Sequence, residues 1–241
     1  MCVCRLKNMS STWNFLLMFH AAFFIYIFEG TEGAALQTVG VKNALYGVPD
    51  LEGPPLIIKS YPAIENYQSD LYEVYMEPYK YDVRPHSAIA VLSSEGESEV
   101  KGEITFVQKQ PPGGPVFIRG NITGLSPGKH GLHIHQAGDL REGCEKLGGH
   151  FNPYLLHHGS PKYPLRHIGD LGNVDASDSG TAEIIQIDPL MSLAGGPRGV
   201  VGRALVVTED PDDLGKGGNA NSLVDGNSGK PVACGVIAYI R

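Results

Sequence analysis

Seven of the nine histidines lie between His130 and Asp170, and their spacing is that of a metal site. The run reads His130-Gly-Leu-His133-Ile-His135, then Gly148-Gly-His150-Phe-Asn-Pro, then His157-His158-Gly, then Arg166-His167-Ile-Gly-Asp170. Side chains at i and i+2 of a strand share a face, so His133 and His135 offer one metal two imidazoles. Downstream, His150, His158, His167 and Asp170 supply three nitrogens and a carboxylate, a donor set suited to four-coordinate zinc. Solvated or core histidines would have no reason to keep such glycine-punctuated spacing.

The same segments, together with Asp212-Asp213-Leu-Gly-Lys-Gly-Gly-Asn219 and Ala233-Cys234-Gly235-Val236-Ile237, resemble the copper/zinc superoxide dismutase family in order and spacing. The likeness runs from about Ala88 to Arg241, nearly two thirds of the chain. It implies copper at His133, His135 and His150, and zinc at His150, His158, His167 and Asp170. Asp212 matches an aspartate that joins a copper histidine to a zinc histidine, here His133 and His158. Cys144 and Cys234 match the family's intrasubunit disulfide, the alternative being two free buried thiols.

This chain departs from the family at several named positions. A later strand normally brings copper a fourth histidine; here that position, in Gly202-Arg-Ala-Leu-Val-Val-Thr208-Glu209, is Thr208, whose hydroxyl is a poor copper ligand. An arginine that guides superoxide, three residues before the second cysteine, is replaced by Pro231, with Lys230 just before it. Proline offers neither charge nor an N–H donor. Ala220, Asn221 and Val224 stand where glutamates and a lysine are usual, and Asp225 takes the place of a channel threonine. Ala137 occupies the site of a large apolar residue of the family dimer.

Three nitrogens suit reduced copper, whereas Cu(II) favours four or more ligands. Dismutation uses both states: one superoxide is oxidised to O2 and the next reduced to H2O2. His150, as bridging ligand, would pass the proton. Neither His130, which matches a histidine of the barrel loop, nor His157, expected to face solvent, supplies the missing donor. The reading is a secreted protein that dismutes superoxide at an impaired copper site. An alternative is a non-catalytic, zinc-stabilised relative that binds a partner such as another dismutase subunit, or forms a homodimer. Copper handling is a third, opposed by the lack of a separate heavy-metal domain.

Residues 1–35 read as an export signal: Arg5 and Lys7, then the apolar stretch Asn14 to Phe28, then small residues with cleavage after Gly33 or Ala35. The apolar core is short for a membrane span, and an uncleaved anchor is the competing reading. Cys2-Val-Cys4 precedes it and is taken as incidental. Residues 36–86 form a Pro/Tyr-rich extension whose prolines oppose a long helix. The aromatic stretch Leu71 to Val83 either docks on the barrel or a partner, or belongs to a loosely ordered extension.

The metal-binding domain spans 87–241. Its short apolar runs Ala88–Leu92, Lys101–Val107, Pro115–Arg119, Thr181–Ile187, Val200–Thr208 and Val232–Ile240 are bounded by Gly, Pro, Asp and Ser, which predicts strands. No amphipathic helix of useful length is expected. The fold class is therefore all-β, and with the resemblance a Greek-key β-barrel or sandwich. Long metal-binding and electrostatic loops fall at Ala137–Gly169 and Glu209–Lys230. A net charge of −7 without a basic run argues against nucleic acid. Asn121-Ile-Thr123 is a glycosylation sequon outside the leader.

Overall fold

The structure, a computed structural model, describes Val3–Arg5, Asn43–Tyr46, Leu56–Tyr61, Leu71–Met76 and residues 84–94 and 99–240. The chain divides into two units, Met1–Lys80 and Tyr81–Arg241. In the first, β1 (Val3–Arg5), β2 (Asn43–Tyr46), β3 (Leu56–Tyr61) and β4 (Leu71–Met76) form a sheet in the order β1-β4-β3-β2. Every pairing in it is antiparallel. The aromatic stretch thus begins as a strand rather than loose chain: Leu71-Tyr-Glu-Val-Tyr-Met is a short run of apolar and aromatic residues, a strand signal the surrounding prolines mask. Val3–Arg5 pairs with β4; the remainder of residues 1–35, with the expected export signal and its cleavage positions, lies outside the described residues.

The second unit holds eight strands: β5 (His86–Ser93), β6 (Lys101–Gln108), β7 (Val116–Thr123), β8 (Gly128–Ile134), β9 (Asp170–Ala176), β10 (Ala182–Asp188), β11 (Ala204–Thr208) and β12 (Pro231–Tyr239). They form one antiparallel sheet in the order β10-β7-β6-β5-β12-β11-β8-β9. Its two edges, β9 and β10, are consecutive in the chain and joined by a short turn in which Gly180 N donates to Ser177 O (2.8 Å), so the sheet curls into a nearly closed barrel. The chain crosses from β7 to β8 and back from β10 to β11, the Greek-key pattern. Six strands were expected from apolar runs; β8 follows from its histidine pair, whereas glycine and asparagine in Asp-Leu-Gly-Asn-Val-Asp-Ala conceal β9.

Alternate residues point inward. Ala88, Ala90 and Leu92 of β5, Ile104 and Phe106 of β6, and Val116, Ile118 and Ile122 of β7 are buried, while their neighbours face outward. Burying the larger of these side chains, Leu, Ile, Val and Phe, contributes roughly 1.5–3 kcal/mol each. Three-residue 3-10 turns occur at Leu140–Glu142, Cys144–Lys146 and Asn221–Leu223. Among the described residues, no helix is long and apolar enough to cross a membrane. Cys144 and Cys234 are joined in a disulfide that ties the loop after β8 to β12 across 90 residues of sequence.

Candidate metal centre

The two long loops meet over β8. Val206 and Leu205 of β11 pair with His133 and Ile134, which fixes His133 inside the barrel wall. His135 continues the strand line and makes a β-bridge with His150, held by Gln136 N to Gly149 O (3.0 Å) and Phe151 N to Ile134 O (2.8 Å). His158 N donates to Leu223 O of the second loop (2.9 Å). His167 lies just before β9, and Asp170 is that strand's first residue.

His150, His158, His167 and Asp170 are all buried, with one donor atom from each within 4.8 Å of the others. Asp170 Oδ2 accepts the backbone N–H groups of Gly159 and His167, both at 3.0 Å, which turns Oδ1 toward the histidines. From Oδ1 the Nδ1 atoms of His150, His158 and His167 stand at 2.9, 2.9 and 3.1 Å. A tetrahedral zinc with bonds near 2.0 Å separates its donors by about 3.3 Å. The cluster is thus slightly tighter than the filled site and of the right shape and chemistry.

Hydrogen bonds also fix which nitrogen of each ring is available. His133 Nε2 donates to Asp212 Oδ2 (3.0 Å) and His158 Nε2 to Asp212 Oδ1 (2.7 Å). His135 Nδ1 donates to Gly148 O (2.7 Å), and His167 Nε2 to Leu156 O (2.9 Å). The opposite nitrogens of His133 and His135, Nδ1 and Nε2, are buried without a hydrogen bond, while Nδ1 of His158 and of His167 meets Asp170 Oδ1. Such lone pairs are costly unless a cation meets them, and outer acceptors of this kind are how proteins orient imidazole toward metal. The arrangement fits zinc at the tetrad.

Around the expected copper position, the His133 and His150 rings stack at 4.0 Å and the His135 ring lies edge-on to His150 at 5.3 Å. The three rings are therefore neighbours, although His135 joins neither of the two tight donor groups, His150–His158–His167–Asp170 and His133–His158–Asp212. Two glycines make room. A Cβ on Gly226 would lie 2.1 Å from Asp212 Oδ1 and 2.6 Å from His158 Nε2, and one on Gly131 would meet Thr208 Oγ1 at 2.5 Å and His133 Cε1 at 2.6 Å.

The electrostatics follow from burial and partners. Burial lowers His133; burial, then the charge of His150, brings His135 down to about 4. Burial and the charge of His133 bring His150 to about 4 as well. His158 moves the other way: burial opposes its charge, but the carboxylates of Asp170 and Asp212 raise it to about 10. Burial would raise both aspartates, yet the histidine hydrogen bonds hold them below the usual carboxylate range.

Thr208 is buried at the end of β11, where its Oγ1 donates to Gly131 O (3.3 Å). Its own carbonyl accepts from His130 Nδ1 (2.9 Å), and His130 Nε2 lies 2.9 Å from Ser126 O. His130 is thus engaged with backbone on both sides, and His157 is exposed, as expected for each. Thr208 pairs directly with Pro231 across the β11–β12 ladder, beside a register shift at Val207/Thr208. The two altered positions therefore face one another. Lys230 is exposed, with its backbone N–H bound to Glu209 Oε1 (3.1 Å). Ala220, Asn221, Val224 and Asp225 are exposed around the Asn221–Leu223 turn, and Ala137 is half-buried. Asn121 is exposed on the outer face of β7, in a groove of about 450 Å³ with Glu103, Thr105, Arg119, Glu183 and Ile185.

Sequence reasoning missed two arginines. Arg166 is fully buried, pairs with Asp188 and donates through NH1 to His167 O (2.8 Å). Arg203 stacks on Phe151 and reaches Gln136 O. Neither lies in a recognisable spacing, so only the local Arg166-His167 adjacency offered a signal.

Residues 100–237 match the family described as copper/zinc superoxide dismutase (SODC). A Cu-Zn superoxide dismutase of Ramazzottius varieornatus is 46% identical over 168 residues, covering 68% of this chain and 86% of that protein. The crystal structure of the clock protein EA4 superposes with a TM-score of 0.60 at 44% identity, covering 67% of this chain and 99% of that one. The chain belongs to the copper/zinc superoxide dismutase family.

Proposed function

We propose that this is an exported superoxide dismutase-like protein with a complete zinc site and a copper site of three histidines that turns superoxide over slowly. One observation carries the reading. His133 Nδ1 and His135 Nε2 are buried with no hydrogen bond beside the His150 ring, while residue 208 presents a hydroxyl already bound to Gly131 O. Copper, when bound, supplies the one-electron chemistry that oxidises one superoxide and reduces the next.

The chain's own groups do the rest. Asp212 holds His133 with Nδ1 turned to the site, and Gly148 O holds His135 with Nε2 turned to it. His150 has Nδ1 engaged with Asp170, which leaves Nε2 to take up a proton and hand it to reduced substrate. Without a fourth imidazole the residues present would favour reduced over oxidised copper, which would slow turnover. Exposed Asp225 and uncharged Pro231 weaken capture of an anion, with Lys230 as a flexible substitute. Export is supported by the basic and apolar leader and by the Cys144–Cys234 bridge, which suits an oxidising compartment. Asn121 is an exposed acceptor for glycosylation.

The joint alteration of Thr208, Pro231 and Asp225 beside an intact zinc tetrad favours a second reading, a zinc-stabilised partner protein without turnover. The deciding test is superoxide dismutation by the purified, copper- and zinc-reconstituted protein beside a Thr208→His variant. Slow turnover that rises in the variant is expected. Turnover as fast as the variant's would refute impairment, and silence of the parent with gain in the variant would favour the second reading.

A further inference from the structure

Arg203 has no part in either metal set, yet its guanidinium touches both segments that carry the copper-side histidines. Its carbon lies 3.6 Å from the centroid of the Phe151 ring, the residue after His150. NH1 donates to the carbonyl of Gln136, the residue after His135, and Nε donates to Gly199 O (2.9 Å). The two segments are already adjacent through the His135–His150 bridge. The arginine therefore closes a loop of contacts directly behind the pair.

Its chemistry matches that placement. The half-buried side chain loses hydration, which lowers its pKa, and among the described residues it meets carbonyls and a ring rather than a carboxylate. A flat guanidinium can stack on a ring and donate in its own plane at once, which fixes distance and angle together. A lysine ammonium cannot reproduce that geometry. Leu205, two residues on, pairs with Ile134 beside His135, so the same strand anchors the clamp to the barrel wall.

We infer that Arg203 is a positioning residue that sets the mutual orientation of the His135 and His150 imidazoles. The inference rests on the reading of His133, His135 and His150 as a copper site only for its consequence, not for its geometry. Without the clamp the two segments keep their backbone bonds, Gln136 N to Gly149 O and Phe151 N to Ile134 O, but lose the side-chain brace on Gln136 O and Phe151, which loosens the ring-to-ring angle of 65° between His135 and His150. The zinc-side rings of His158 and His167 are held by Asp212 and Leu156 O and keep their places.

The test compares the parent with Arg203→Met and Arg203→Lys in the full chain. Imidazole nitrogen NMR of the metal-free proteins comes first. His135 and His150 signals are expected to shift or broaden in both variants, with His158 and His167 unchanged. Chelator competition then measures Cu(I) and Zn(II) affinity. Copper affinity should fall roughly 10–100-fold, the range typical of groups that orient ligands, with zinc affinity unchanged. Unaltered His135 and His150 signals in Arg203→Met would overturn the inference. So would shifts at all four histidines with a matching fall in thermal midpoint, which would mark a general structural role. A parent that takes up no copper, with the selective NMR shifts present, would refute the copper reading and leave the positioning role standing.

Discussion

Replacing Asp212 with asparagine should damage one metal position and spare the other. The carboxylate accepts from His133 at Oδ2 and from His158 at Oδ1, and Oδ1 also accepts Leu214 N–H at 2.7 Å. Asparagine has one acceptor oxygen and one donor NH2. Two donors, Leu214 N–H and His158 Nε2–H, converge on the Oδ1 side, so the amide oxygen takes that side and the NH2 faces His133. The backbone will not swing to relieve this, because Asp212 N donates to Asn173 Oδ1 (2.8 Å) and Asn173 Nδ2 to Asp212 O (2.7 Å). His133 Nε2 must then accept rather than donate, which moves its proton to Nδ1, the atom turned to the copper position. Removing an orienting partner typically costs 10–100-fold in metal affinity, or about 1.4–2.8 kcal/mol. The loss should fall on copper, with zinc affinity changed far less. Competition with chromophoric chelators for each metal measures both in one preparation. Equal losses, or a larger loss of zinc, would refute the tautomer argument.

Other outcomes follow from the charges and bonds of the same site. For the metal-free protein, His135 and His150, lowered to about 4, contribute stability that is full above the unfolded value of 6.5 and lost as pH falls through 4. His158, raised to about 10, contributes stability that is full below 6.5 and lost as pH rises through 10. Urea midpoints across pH should therefore peak near neutrality, and a monotonic profile would contradict the assignment. Cutting the Cys144–Cys234 bridge in a Cys144→Ala/Cys234→Ala protein releases a loop closed over 90 residues. The loop-entropy relation puts the loss of metal-free stability at about 4–5 kcal/mol, readable by denaturant titration; a loss under about 1 kcal/mol would mean the reduced chain keeps the loop closed by other contacts.

The donor tetrad and the fold class were legible because spacing carries them: His150, His158, His167 and Asp170 do converge, and the apolar runs do become strands. Strand ends shifted by a few residues, as with Val200, which precedes β11 in a turn where Gly202 N donates to Ile237 O. Arg203 was illegible for a different reason. Its partners are a backbone carbonyl and a ring contributed by residues far away in sequence, and nothing in a linear pattern reports such a meeting. The tautomers of His133 and His135 were likewise hidden until their acceptors, Asp212 and Gly148 O, could be seen. In the first unit, the nearby prolines hide the strand signal of the apolar and aromatic run Leu71–Met76.

The bond from His130 to the carbonyl of Thr208 bears on substitution at that position. It grips the main chain, as do Gly131 N to Asp210 O and Glu209 N to Lys230 O around it, so the strand path at residue 208 is held by main-chain bonds beside the Thr208 hydroxyl's own bond to Gly131 O. A substitution at residue 208 then leaves these main-chain bonds of the barrel in place. Residue 208 can change while the barrel folds as before, and a histidine placed there would enter a frame held by main-chain bonds.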